Sequence, residues 1–318
     1  MANRVGADIS RREIFRQKGC EPNMAQLYDG IILKGIGGFY YIDTEKGVVE
    51  CKARGIFRKE GVSPLVGDKV NVLIENDTDL TGTIEEIKPR KNALVRPPVA
   101  NVTQIAIVIA TAHPRPNTLI LDKLIAEAEY QQIKILLCLN KTDLNQGEEL
   151  KSIYETAGFD LLDLSALKKK NIDELKERLK DNTTVFAGNS GVGKSSLLNC
   201  VLGENSFETG SVSNKAERGK HTTRHSELVK LSSGGFIIDT PGFSSFELQF
   251  TQTEELCSAF REFRTYTENC RFHDCSHTVE KGCAVLEALQ SGNIPLSRHR
   301  SYVQLYEKLK QLKPWENK

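Results

Sequence analysis

Between Leu27 and Lys88 the chain alternates β-branched or aromatic residues with polar ones in short runs: DGIILKG, GGFYYID, GVVECKARGIF, GDKVNVLIE and LTGTIEEIK. Runs of period two, closed by Gly, Asn and Asp, predict strands. Five of them in so short a stretch predict a small barrel. An OB-type barrel is the natural candidate, with an SH3-like barrel or an open meander as alternatives. The prolines of RPPVANV (Arg96–Val102) remove ladder donors and mark a boundary. Beyond them the period changes. QIAIVIATA, IKILLCLN, FDLLDLSA and TTVFAG are strand-like apolar runs, separated by the helical patterns NTLILDKLIAEAEYQQ, GEELKSIYETAG and NIDELKERLK, and KSSLLNCVLG follows the last. Strands apolar on both faces and interleaved with helices predict a parallel sheet covered on both sides, an α/β domain over about Val99–Leu248. From Thr251 the pattern is helical: TEELCSAFREFRTYT, CAVLEALQSGN and LSRHRSYVQLYEKLKQL. The expected fold is therefore multidomain α/β: an N-terminal extension (1–24), a barrel (25–96), an α/β domain (97–248) and a C-terminal helical domain (249–318).

Length and composition narrow the class. The 318 residues, 39% hydrophobic and 27% charged, describe a soluble globular chain of two or three domains. No apolar run reaches the roughly 18 residues of a membrane helix. The opening MANRVGADISRREIFRQKGC lacks the apolar stretch of a secretory signal, so a cytoplasmic location without membrane attachment is expected. A net charge of +1 excludes a diffuse nucleic-acid-binding charge. Locally, no Asp or Glu occurs from Ile87 to Leu121, whereas Lys88, Arg90, Lys91, Arg96 and Arg115 are basic. CKARGIFRK adds Lys52, Arg54, Arg58 and Lys59. Alone, either patch reads equally well as a solvated face. On a barrel of the kind that binds oligonucleotides across one face, Lys52, Arg54, Arg58, Lys59, Lys88, Arg90 and Lys91 become candidates for RNA contact.

GNSGVGKSS, Gly188–Ser196, fits a phosphate-binding loop and sits between a strand and a helix, as that motif requires. Gly188, Asn189, Ser190, Gly191, Val192 and Gly193 would turn backbone N–H groups toward phosphates. Lys194 would reach the β- and γ-phosphates, Ser195 would ligate Mg²⁺, and Ser196 would join the nucleotide-binding set. DTPG follows the strand GGFIID. Asp239 would hold Mg²⁺, and the Gly242 N–H would meet the γ-phosphate. In the polar stretch between them, Thr222 or Thr223 would complete the Mg²⁺ shell, with Thr223 taken as the ligand beside Ser195 and Asp239. NKTD (Asn140, Lys141, Thr142, Asp143) ends an apolar strand. Asp143 can accept from guanine N1 and N2, a donor pair that adenine lacks. Asn140 would contact the base edge, the Lys141 stem would cover the ring, and a backbone N–H at Ser165–Ala166 would reach O6.

The base reader thus precedes the phosphate loop, the reverse of the usual order. Cutting and rejoining a closed α/β sheet leaves its site intact, and here the chain leaves the site just after DTPGF. The C-terminal domain is therefore tethered to the segment that senses the γ-phosphate. Phe243 stands where many GTPases place a water-orienting Gln, so unaided hydrolysis should be slow, on the order of 10⁻³ s⁻¹ or less. His221 is the internal candidate for orienting water.

Of eight cysteines, Cys138 and Cys200 read as small buried hydrophobes. CRFHDCSHTVEKGC places Cys270, Cys275, His277 and Cys283 in a C-x₄-C-x-H-x₅-C pattern, the ligand set of one structural tetrahedral Zn²⁺, with His273 as a rival fourth ligand.

Together, CKARGIFRK, NKTD, SAL, GNSGVGKSSLLN, GKHTTR, DTPGF and the cysteine cluster, in this order, resemble the circularly permuted, ribosome small-subunit-dependent GTPases, the RsgA/YjeQ family. The resemblance implies a GTP hydrolase that cycles between GTP and GDP. It implies a late assembly factor of the small ribosomal subunit that docks on 16S rRNA, turns over faster on the subunit and helps release another maturation factor. The chain is expected to act as a monomer.

Overall fold

The computed structural model describes residues 26–76, 78–95, 97–203, 226–239 and 253–311; for Asp239 it describes the backbone alone. Two compact units emerge: one runs to Pro64 and resumes over Asp68–Pro89, and the other joins Leu65–Gly67 to Arg90 and the rest of the chain.

The first unit is a closed barrel of β1 (Leu27–Ile36), β2 (Phe39–Thr44), β3 (Gly47–Ala53), β4 (Lys69–Asn76) and β5 (Thr81–Ile87), ordered β1-β2-β3-β5-β4. β1 closes it by pairing with both β2 and β4, and β3 pairs parallel with β5. This order is OB-like, and neither the SH3-like nor the meander alternative fits it. Ile32, Ile42, Val49, Cys51, Val70, Val72 and Ile84 fill the interior with no exposed surface. The third strand is shorter than its alternation predicts. It stops at Ala53, and Gly55–Lys59 forms the short helix α1 because Phe57 turns inward onto the barrel core. Arg58 and Lys59 therefore stand on a helix.

In the second unit a small ribbon, β6 (Ala93–Leu94) with β7 (Val99–Ala100), precedes the sheet. Asn101 ties the boundary: its Oδ1 accepts from the Lys91 N–H at 2.9 Å and its Nδ2 donates to the Gly67 carbonyl at 3.0 Å. This bonding joins Leu65–Gly67 and Arg90–Asn92 to the second unit, ahead of the proline pair.

The sheet contains β8 (Gln104–Ala110), β9 (Lys134–Asn140), β10 (Leu161–Asp163), β11 (Thr183–Ala187), β12 (Glu227–Lys230) and β13 (Phe236–Asp239), in the order β10-β9-β8-β11-β13-β12. β8, central and apolar, is buried along its whole length. The pairs are parallel, as the apolar runs predict, except at the edge, where β12 runs antiparallel to β13. Helices α2 (Thr118–Tyr130), α3 (Glu148–Thr156) and α4 (Ile172–Leu179) connect the parallel strands, and α5 (Lys194–Leu202) follows β11.

The C-terminal helices are α6 (Thr253–Ser258), α7 (Arg264–Thr267), α8 (Ala284–Gln290) and α9 (Leu296–Gln311). TEELCSAFREFRTYT is broken where a continuous helix is expected: Phe260 is extended and a 3₁₀ turn follows at Arg261–Phe263. The break sends Phe260 and Phe263 into one core with Tyr302 and lets Arg261 and Arg264 reach Glu129 on α2. These helices thus pack directly on the α/β sheet's own helix.

Candidate functional site

The site lies at the C-terminal ends of the parallel strands, where open α/β sheets place ligands. β11 ends at Ala187, and the chain turns through Gly188, Gly191 and Gly193 at φ of +136°, +78° and +98° before α5 begins at Lys194. Two of these glycines have no room for a side chain. A Cβ on Gly188 would lie 2.3 Å from the Val108 carbonyl oxygen, and one on Gly193 would lie 2.3 Å from Asn140 Nδ2. The loop is thus packed on β8 and on the end of β9. Lys194 Nζ donates to the Gly188 and Asn189 carbonyls at 2.6 and 2.9 Å. An ammonium carries three protons, so one remains for a phosphate. Burial lowers the Lys194 pKa, which makes a compensating anion more favourable there.

The base-reading motif meets this loop directly. Asn140, the last residue of β9 and 2% exposed, donates from Nδ2 to the Val192 carbonyl at 2.9 Å and accepts at Oδ1 from the Ala166 N–H at 3.1 Å. Lys141 donates to the Gly191 carbonyl at 2.8 Å and to the His113 carbonyl. Thr142 donates to the Leu164 carbonyl at 2.9 Å, and the Ser165 Oγ accepts from the Lys168 N–H at 3.1 Å. Three stretches far apart in sequence therefore converge, and Asn140 is the staple between them. Most of its amide is committed to that task, leaving one Nδ2 proton for a base edge. Asp143 is exposed and makes no hydrogen bond or ion pair among the described residues. Ser190, Ser195 and Ser196 lie on the loop and in the first turn of α5. His221, Thr222, Thr223, Gly242 and the Asp239 side chain lie outside the described residues; the Asp239 backbone ends β13 beside β11. The loop after β8, whose His113 carbonyl holds Lys141, carried no motif to announce it.

Cys270, Cys275, His277 and Cys283 form one cluster, with ligand atoms within 4.8 Å of one another. His273 is exposed and stands outside it, so His277 is the imidazole of the set. Cys270 Sγ lies 3.9 Å from Cys283 Sγ and 3.6 Å from His277 Nδ1, which lies 3.4 Å from Cys283 Sγ. A tetrahedral zinc with bonds of about 2.3 Å to sulfur and about 2.0 Å to nitrogen has edges of about 3.8 and 3.6 Å, so the residues fit that ion. Burial lowers the His277 pKa and favours the neutral ring that binds metal. Burial also pushes the Cys275 thiol up to about 12, so it is a bound cation that would make it a thiolate. The loop is held from outside. Glu280 accepts from the Ser276, Thr278 and Val279 N–H groups at 2.9 to 3.1 Å.

The basic candidates are less free than their charge suggests. Lys52 stands over the Phe39 ring at 5.1 Å; Arg54 pairs with Glu85 at 2.5 Å and Lys88 with Asp29 at 2.6 Å. Arg58 and Lys59 are exposed on α1, and Arg90 and Lys91 belong to the second unit. Cys51 and Cys138 are buried, with thiols pushed up to about 12 by burial, consistent with packing roles.

A glycine cradle at a helix start, joined through an N-K-x-D strand end in one mostly parallel sheet and reached in permuted order, defines a P-loop protein of the guanine-reading class. The model of the RsgA GTPase matches residues 87–249, and that of the RsgA N-terminal domain matches residues 29–84. The chain is 49% identical over 293 residues to a Ruminiclostridium cellulolyticum protein named small ribosomal subunit biogenesis GTPase RsgA, across 91% of this chain and 96% of that one. A Clostridium acetobutylicum protein of the same name is 48% identical over 283 residues, across 88% and 97%. Among solved structures, YjeQ from Thermotoga maritima superposes with a TM-score of 0.78 at 34% identity, covering 91% of this chain and all of that one. YloQ, described as a circularly permuted GTPase, gives 0.77 at 34% identity, covering 93% and 99%. The chain belongs to the RsgA GTPase family and is a GTP-hydrolysing enzyme.

Proposed function

We propose that this GTPase assists late maturation of the small ribosomal subunit, docking on 16S rRNA and hydrolysing GTP slowly alone and faster on the particle. The names of its relatives support the subunit; the observation that carries the nucleotide reading is Asn140 and Lys141 bonded to the phosphate loop itself. In this reading Asp143 accepts from guanine N1 and N2, Lys141 covers the ring, and Ala166 offers its N–H toward O6. The loop Gly188–Gly193 with Lys194 and Ser196 holds the phosphates. Ser195, Thr223 and Asp239 would hold Mg²⁺, which when bound neutralises phosphate charge. Gly242 and Thr222 meet the γ-phosphate side, and His221 orients water in place of the glutamine that Phe243 replaces.

Cys270, Cys275, His277 and Cys283 would hold one structural Zn²⁺ that fixes the helical domain over 249–318, alongside a GTPase domain over 97–248 and, over 25–96, the barrel with the segment that follows it. Lys52, Arg54, Arg58, Lys59 and Lys88 on the barrel, with Arg90 and Lys91 beyond it, supply phosphate contacts. Arg54 and Lys88 would exchange their carboxylate partners for RNA. The enzyme acts in the cytoplasm as a monomer, and its turnover helps release another maturation factor.

The test is GTP turnover by the purified protein with isolated small subunits, large subunits or free tRNA. Stimulation confined to small subunits is expected. Equal stimulation by all three would overturn the partner, and an Arg58→Glu/Lys59→Glu variant with undiminished stimulation would remove α1 from the contact surface.

A further inference from the structure

Helix α9 makes three separate contacts in little more than one turn. Arg298, with no exposed surface, donates from Nη1 to Asp122 Oδ1 at 2.8 Å and from Nε and Nη2 to the two Glu262 oxygens at 2.7 and 3.1 Å. Tyr154 on α3 donates to the same Asp122 oxygen at 2.9 Å, and the Phe260 ring lies 4.5 Å from the guanidinium carbon. The next residue, His299, donates from Nε2 to the His277 carbonyl at 2.8 Å, and Tyr302 donates to the Ser276 carbonyl at 2.9 Å. One face of α9 thus grips the metal loop while its neighbour grips α2.

The N-terminus of α2, little more than one turn from Asp122, lies beside the nucleotide site. Its N-cap is Asn117, whose Oδ1 accepts from the Ile120 N–H at 3.2 Å. The loop before that cap carries the His113 carbonyl that accepts from Lys141, and Lys141 in turn donates to Gly191. A buried guanidinium between two carboxylates cannot tilt or lengthen without leaving charge unpaired in a dry site, so α2 and α9 are constrained to move together.

We propose that Arg298 is a positioning residue that ties metal occupancy of the Cys270–Cys283 loop to guanine-nucleotide affinity, by fixing α2 and with it the His113–Asn117 loop beside Lys141. The inference rests on the guanine reading of the site and adds a route by which the C-terminal helices act on it. Linkage makes the effect reciprocal: bound nucleotide strengthens metal retention by the same factor.

The test compares wild type with Asp122→Asn/Glu262→Gln/Arg298→Met, which removes all three charges together and strands none of them. N-Methylanthraniloyl-GDP is titrated into each at constant Mg²⁺, before and after zinc is withdrawn with a zinc-selective chelator. Wild-type affinity should fall at least fivefold, about the lower edge of typical coupling. The triple variant, still carrying zinc beforehand, should change by less than about twofold, the usual limit of additivity. Equal losses in both proteins would overturn Arg298 as the link, and no loss in wild type would overturn the coupling. If the variant does not fold, hydrogen exchange over residues 111–122 of wild type decides: faster exchange on metal withdrawal supports the proposal, and unchanged exchange overturns it. Failure of the guanine reading itself would show as no GDP binding by either protein.

Discussion

At the scale of single residues, Asn140 carries more of the site than its motif implies. N-K-x-D points to the base, and the spacing of the motif made the nucleotide class legible. The side chain, however, spends its amide on Val192 and Ala166, two residues with no sequence mark of their own as its partners. Local patterning reads what a residue type can recognise; it cannot show which backbone groups need satisfying once three loops converge. Replacing Asn140 with Ala leaves a buried carbonyl and an N–H unpaired, each costing about 1–3 kcal/mol. The expected outcome is at least a tenfold loss of GDP affinity with a lower melting temperature, read by fluorescence titration and calorimetry. Gly193→Ala tests the cradle differently. At φ +98°, with Asn140 Nδ2 2.3 Å from the new Cβ, strain of about 1–3 kcal/mol adds to a clash. Nucleotide binding should be lost while far-ultraviolet circular dichroism is retained, and normal binding would refute the packing described.

At the scale of elements, alternation and apolar runs exposed most of the strands, because a barrel interior and a doubly covered sheet impose strong periods on the chain. Several features escaped, three of them for reasons that differ. β12 is a short edge strand, and ELVK carries too little period to announce it. α1 forms because Phe57 has a core to enter, which depends on tertiary packing. The buried group around Arg298 joins Asp122 and Glu262 to a residue in the last helix, and charged side chains in amphipathic helices read as solvent-facing. The convergence of Cys270, Cys275, His277 and Cys283 was legible, since thiol and imidazole spacing is a local constraint. Metal analysis should return one zinc per chain. Cys275→Ser should release it and abolish the near-ultraviolet signal of the Phe260–Phe263–Tyr302 cluster, because zinc supplies about 10–16 kcal/mol in comparable small modules. A Cys275→Ser protein that keeps both zinc and that signal would count against the centre.

At the scale of the whole molecule, permutation places the exit of the chain after the strand that ends in Asp239, and the C-terminal helices then return to pack on α2. The segment carrying the tether lies outside the described residues, whereas the return contact is built from described ones. Subunit-stimulated turnover should therefore be more sensitive than intrinsic turnover to Glu129→Gln, which removes the carboxylate shared by Arg261 and Arg264. Parallel rate measurements with and without small subunits check this, and equal effects on both rates would contradict it.

The central claim is that the end of β9 and the loop after β11 form one pocket for a guanine nucleotide. The most direct measurement is the affinity of Asp143→Asn for GTP and for xanthosine triphosphate. An asparagine would lose the carboxylate proposed to meet guanine N1 and N2 and would gain a donor for the xanthine O2. Two lost charge-assisted bonds, at about 1.5–3 kcal/mol each, predict at least a hundredfold weaker GTP binding, with xanthosine triphosphate now preferred. Unchanged affinity for GTP, with no gain for xanthosine triphosphate, would contradict the account.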